Sequence, residues 1–106
     1  MDIELLYFAG CPNWHTIRER LDRALVLAGH AGQEVTLLPV ETEEQARAQR
    51  FPGSPTIRVD GRDPFPVASE SYGLTCRVYA TPEGLAGSPT VDALVEALAD
   101  ASKPGR

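Results

Sequence analysis

Two cysteines, Cys11 and Cys76, are the strongest nucleophiles in this chain, and the surroundings of the first suit thiol chemistry. Gly10-Cys11-Pro12-Asn13-Trp14 follows a short apolar run and precedes an amphipathic one, which puts Cys11 at a strand-to-helix turn. Unpaired N–H groups and the positive end of the helix dipole at such a turn favour a thiolate. They lower a thiol's pKa from about 8.5 toward the range where the nucleophile exists at neutral pH. Pro12 suits the first helical turn, where its missing N–H costs nothing. His15, one turn after Cys11, adds to thiolate stabilisation if protonated and is otherwise a solvated helix-surface residue, which is the reading we favour. Trp14 has two roles open to it: shielding the sulfur while offering an apolar contact to a ligand, or filling the core where the helix starts.

The second constellation is Gly53-Ser54-Pro55-Thr56, which leads into a β-branched segment. The same tetrapeptide at 87–90 leads into a helical pattern instead and reads as reused turn chemistry rather than duplication. Cys76 opens a later strand-like run and is the internal candidate for resolving a mixed disulfide on Cys11. Pairing residues 75–80 with 55–60 as a hairpin would set Cys76 opposite the end of the third strand, remote from Pro55 and so from Cys11. A bridge tolerates no more than about 7 Å between Cα atoms, so direct pairing is not expected. The other reading of Cys76 is a buried strand thiol acting as a small hydrophobe.

The elements that must position these groups follow from periodicity. Residues 3–8 form a short apolar run suited to a strand in the middle of a sheet. Ile17, Leu21, Ala24, Leu25 and Ala28 make one face of a helix that ends near Gly29 to Gly32. Residues 34–40 read as a strand, at a sheet edge because Pro39 cannot donate to a ladder. Thr42 and Gln45 suggest a capping box for a short helix through about Arg50. Ser54 to Gly61 is a third strand turning at Asp60-Gly61, and residues 75–80 a fourth. Thr90 caps a last helix with Val91, Leu94, Val95, Leu98 and Ala101 on one face. Residues 102–106 are expected to fray, and loop 62–74 is long enough to serve as a lid or a plain surface excursion. The order β-α-β-α-β-β-α predicts an α/β domain: one four-stranded mixed sheet covered by helices on both faces.

Length and composition set the frame. With 106 residues, 42% of them hydrophobic and 24% charged, the chain suits a single domain over residues 1–106 with one modest core. A net charge of -5 and no run of Lys or Arg give no footprint for nucleic acid or an anionic membrane surface. No apolar stretch approaches the roughly 20 residues needed to span a bilayer, and no secretion signal is read at the N-terminus, so a cytoplasmic location is expected. Two cysteines in such a chain are more often reactive, metal-binding or buried than a structural staple. These residues call for no cofactor and no resident metal ion.

The element order, a Cys-Pro at the first strand-to-helix turn, and Ser54-Pro55-Thr56 opening the third strand resemble the thioredoxin-like superfamily over nearly the whole chain. The resemblance implies that Pro55 is cis and packs against Cys11. It also implies that the backbone around Ser54, Pro55 and Thr56, with Pro12 and Trp14, receives an extended substrate or a thiol ligand. Trp14 stands where a dithiol member has its second cysteine, so the implied chemistry is monothiol. Cys11 would attack a disulfide, and a low-molecular-weight thiol or Cys76 would release the mixed disulfide, with a low-molecular-weight thiol or a protein disulfide as partner. Gly-Cys-Pro-x-Trp, Gly-Ser-Pro-Thr, Val-Asp-Gly-Arg-Asp-Pro-Phe and Gly-Leu-x-Cys-Arg-Val-Tyr are similar to segments of small bacterial thioredoxin-like proteins. Some of those carry an alkylmercury-lyase label. Two alternatives stay open: a non-catalytic module binding through the groove beside Trp14 and Pro55, and a thiolate site for mercury or another soft metal. The second requires both sulfurs within reach of one ion.

Overall fold

The computed structural model describes residues 1–65 and 71–101. Its elements are β1 (Ile3–Tyr7), α1 (Asn13–Leu27), β2 (Val35–Pro39), α2 (Glu43–Ala48), β3 (Thr56–Val59), β4 (Tyr79–Thr81), β5 (Gly84–Ala86) and α3 (Val91–Ala101). The apolar run of β1 lies in the middle of a three-stranded mixed sheet of order β2-β1-β3, parallel to β2 and antiparallel to β3. Pro39 ends the outer strand β2, where a missing donor costs no ladder bond.

Alternation along β1 sends Leu5 and Leu6 to opposite faces, and each face has its own core. On one, Ile3 and Leu5 with Ile57 and Val59 of β3 pack on Ile17, Leu21, Ala24 and Leu25 of α1 and on Leu94 and Leu98 of α3. On the other, Leu6 meets Val40, Ala46 of α2 and Phe51. Helices therefore cover both faces of this mixed α/β sheet.

The helix boundaries follow the local signals. After α1, the Gly29 N–H bonds to Val26 O and the His30 N–H to Leu25 O while Gly29 takes a φ of 83°, a left-handed cap that glycine adopts without strain. Thr42 Oγ1 accepts from the Gln45 N–H at the start of α2, but Gln45 Oε1 returns to the Glu41 N–H rather than to Thr42. Thr90 Oγ1 accepts from the Ala93 N–H and caps α3.

The expected fourth strand is where sequence and structure part. Asp60 and Gly61 do form the turn, with φ of 51° and 81°, yet it closes only the pair Val59 and Arg62. At Asp63 the side chain accepts from the Phe65 N–H, a local turn that leads the chain off the sheet, and two prolines flank Phe65. Among the described residues the central sheet thus keeps three strands. Residues 75–80 do not pair back along β3. Their first part runs beside Ser54, and Tyr79 and Ala80 enter a separate two-stranded hairpin with β5. Residues 102–106, expected to fray, and 66–70 of the suggested lid lie outside the described residues. None of the described helices is long and apolar enough to cross a membrane.

Candidate functional site

Cys11 stands between β1 and α1. Its N–H bonds to Phe8 O at 3.1 Å, closing the turn that follows β1. Pro12 is the N-cap residue and Asn13 the first residue of α1, so the thiol sits just ahead of the helix. The whole Cys11 residue is buried, with 0% relative exposure. Its Sγ donates to Ser54 O at 3.5 Å.

Ser54 connects the two cysteines. The Ser54-Pro55 peptide is cis, as the resemblance implied. The Ser54 N–H bonds to Thr75 O at 2.7 Å and its carbonyl accepts from the Arg77 N–H at 2.9 Å, a parallel bridge with Cys76 between the two contacts. That bridge delivers Cys76 to the site, and its thiol donates to Cys11 Sγ at 3.4 Å. A disulfide needs about 2.05 Å between sulfurs, so the two free thiols are in contact but unbonded. The expectation that Cys76 lies remote from Cys11 is overturned. It assumed an antiparallel hairpin, whereas residues 75–77 approach the start of β3 in parallel. Cys76 is also exposed rather than a buried hydrophobe.

The same approach decides the residues expected to bind substrate. Ser54, Pro55 and Thr56 are all buried. The Ser54 main chain is taken by Thr75 and Arg77, the Pro55 carbonyl accepts from the Tyr79 hydroxyl, and Thr56 Oγ1 donates to Gly53 O while accepting from Arg77. The chain's own segment occupies the backbone positions that the resemblance assigned to an extended ligand. The Ser54 hydroxyl is buried without a hydrogen-bond partner among the described residues. Pro12 is exposed. Trp14 is half-buried against the α1/α3 core and stacked on Tyr7 at 4.3 Å between centroids, with the exposed His15 ring 3.8 Å from its own.

The two thiols share one hydrogen bond, and this marks the acidity of Cys76. The bond to Cys11 stabilises the protonated Cys76. Partial desolvation of the thiol where it meets Cys11 and the proximity of a second sulfur act in the same direction, so the Cys76 pKa is pushed above its ordinary value. Among the described residues no group of three or more His, Cys, Asp and Glu side chains is arranged to hold a metal ion.

Sequence reasoning missed the residues that seat Cys76. Gly53, at a φ of 137°, lets the segment come so close that an added Cβ would lie 2.9 Å from Arg77 Cβ and 3.2 Å from Thr75 O. Arg77 is buried and ion-paired to Asp63 at 2.7 Å, and its guanidinium lies 4.4 Å from the Tyr79 ring centroid. Burial pushes the Tyr79 hydroxyl's pKa well above its ordinary 10.0, with Arg77 opposing. The available signal was a lone Arg between Cys76 and Val78 in a strand-like run, where a charge has to find a partner if the run is buried. In comparisons with known proteins, no family model, no curated protein and no solved structure matches the chain.

Proposed function

We propose that the protein is a thiol–disulfide oxidoreductase of thioredoxin-like type whose working unit is the Cys11–Cys76 pair. The observation that carries this reading is the 3.4 Å contact between one buried and one exposed sulfur. Exposure orders the steps. An incoming disulfide RSSR′ meets Cys76 first. The Cys76 thiolate attacks one sulfur, an S–S bond forms to R, and R′S⁻ leaves and takes up a proton. Cys11, having lost its own proton, then attacks the Cys76 sulfur. The Cys76–SR bond breaks, RS⁻ leaves, and a Cys11–Cys76 disulfide remains. The substrate disulfide has been reduced by two electrons and the pair oxidised by two. Two equivalents of a low-molecular-weight thiol return it to the dithiol, themselves joining as a disulfide. Cys11 keeps the nucleophilic role expected of it, but in the second step, and Cys76 supplies the partner that a monothiol site lacks.

The test is mass spectrometry of the reduced protein after exposure to oxidised glutathione. The reading predicts an intramolecular bridge between Cys11 and Cys76, and a glutathione adduct on Cys76 that accumulates in Cys11→Ser. Two thiols that stay unmodified, or an adduct confined to Cys11, would sink it. The same short sulfur separation favours a second reading, capture of a soft cation such as Hg(II) by both thiolates. A one-to-one mercuric complex lost in either cysteine-to-serine variant, in a protein that glutathione disulfide leaves unbridged, selects that reading instead. The non-catalytic peptide-binding module now requires residues 75–77 to leave Ser54 before a ligand strand can dock.

A further inference from the structure

Arg77 follows Cys76, is 5% exposed, and has no part in the exchange chemistry above. Its guanidinium is nevertheless held by groups from outside its own segment. Nη1 donates to Asp63 Oδ2 at 2.7 Å and to Thr56 Oγ1 at 3.0 Å. Nη2 donates to Asp63 Oδ1 at 3.5 Å and to the Phe65 carbonyl. Its main-chain N–H is one of the two bonds to Ser54, on the far side of Cys76 from Thr75. A buried ion pair gains little net stability, because desolvation cancels most of the Coulomb attraction. It does penalise every arrangement in which the partners separate. Such a pair suits the fixing of one register.

We infer that Arg77 and Asp63 form a positioning clamp for the Cys11–Cys76 couple, holding residue 77 against the start of β3 so that the thiol of residue 76 faces Cys11. The inference rests on the thiol-exchange reading. Arg77 acts through placement, since what perturbs the Cys76 thiol is its contact with Cys11 and the partial desolvation there. Placement needs the planar fork. Lysine, a point donor on a flexible stem, cannot span Asp63, Thr56 and the Phe65 carbonyl together. Without the clamp, the guanidinium no longer ties residue 77 to Asp63 and Thr56, and the segment is held by its backbone bonds to Ser54 and by flanking contacts such as Tyr79 to the Pro55 carbonyl. Small misplacements of reacting groups are costly in proximity-driven chemistry.

The test equilibrates the full chain, Arg77→Lys and Asp63→Asn in glutathione redox buffers, traps the thiols by alkylation and reads the bridged fraction by mass spectrometry. Circular dichroism establishes folding. Thr90→Ala, which removes a cap remote from the cysteines in sequence, serves as the purely structural control. The clamp predicts a roughly 10–100-fold fall in the equilibrium constant for the Cys11–Cys76 bridge in both clamp variants. It also predicts accumulation of glutathione on Cys76 and new alkylation of Cys11 in the reduced protein, with Thr90→Ala moving none of these. A folded Arg77→Lys whose bridge constant stays within about twofold of the unaltered chain overturns the clamp. If Arg77→Lys does not fold, Asp63→Asn decides by the same criterion. An unaltered chain that forms no bridge defeats the exchange reading, and the clamp then stands or falls on whether the folded variants alter alkylation of Cys11.

Discussion

At the scale of single residues, Cys76 holds its proton because the proton is already in use, donated to Cys11 at 3.4 Å. The raised pKa has a definite sign in kinetics: at neutral pH less Cys76 is thiolate than in an unstructured peptide, and its alkylation rate keeps rising with pH beyond the ordinary thiol value. Cys11→Ala removes the acceptor and the neighbouring sulfur together. Iodoacetamide labelling of Cys76 around pH 8 should therefore become several-fold faster in that variant, although a thiol has been deleted. Equal rates in the two proteins would show that the sulfurs do not communicate. Trp14 illustrates the ambiguity of a residue type. From its neighbours in sequence, ligand contact and core filling were both open, and its stack on Tyr7 and packing against the α1/α3 core account for it structurally.

Elements were most legible where their signals are local. The α1 face, the left-handed cap at Gly29, the Thr90 cap and the Asp60-Gly61 turn all depend on residues within a few positions of one another. Thr90→Ala leaves an N–H of α3 uncapped and should lower stability by about 1 kcal/mol in denaturant unfolding. The segment 75–77 is a different case. It is held by a glycine more than twenty positions away, whose φ of 137° and lack of a side chain admit it to within van der Waals contact. Gly53→Ala should cost about 1–3 kcal/mol from backbone conformation alone. It should also push residues 75–77 outward, so that iodoacetamide labels Cys11 in the native protein. A Gly53→Ala variant of unchanged stability with Cys11 still protected would refute this account of the approach.

For the molecule as a whole, the buried network of Tyr79, Arg77, Asp63, Thr56 and the Pro55 carbonyl fastens the hairpin side of the fold to the central sheet. Its response to pH follows from Tyr79, whose phenol stays neutral in the fold. In the unfolded chain it ionises near its ordinary 10.0, so above that pH the unfolded state gives up a proton that the folded state keeps. The stabilisation is complete below the ordinary value and is lost progressively as pH rises past it. Urea midpoints measured between about pH 8 and 11 should fall at the alkaline end. Tyr79→Phe should flatten that dependence while lowering the neutral-pH midpoint through loss of the bond to Pro55. A wild-type midpoint that is level across the range would contradict the buried, neutral phenol.

The sequence by itself determined the mixed α/β class, the positions of three helices and of the first three strands, and Cys11 at the β1–α1 turn. Each of these is written in periodicity or in capping residues a few positions apart. Only the tertiary structure decided that Cys76 meets Cys11, that residues 75–77 cover Ser54, and that the last strands form their own hairpin. Those outcomes depend on the turn at Asp63, on space at Gly53 and on a buried charge at Arg77 finding Asp63. Such contacts link distant segments through packing and desolvation, for which a local pattern carries no signal. Cys11 was therefore legible as a candidate site in the sequence, and its contact with Cys76 only in the fold.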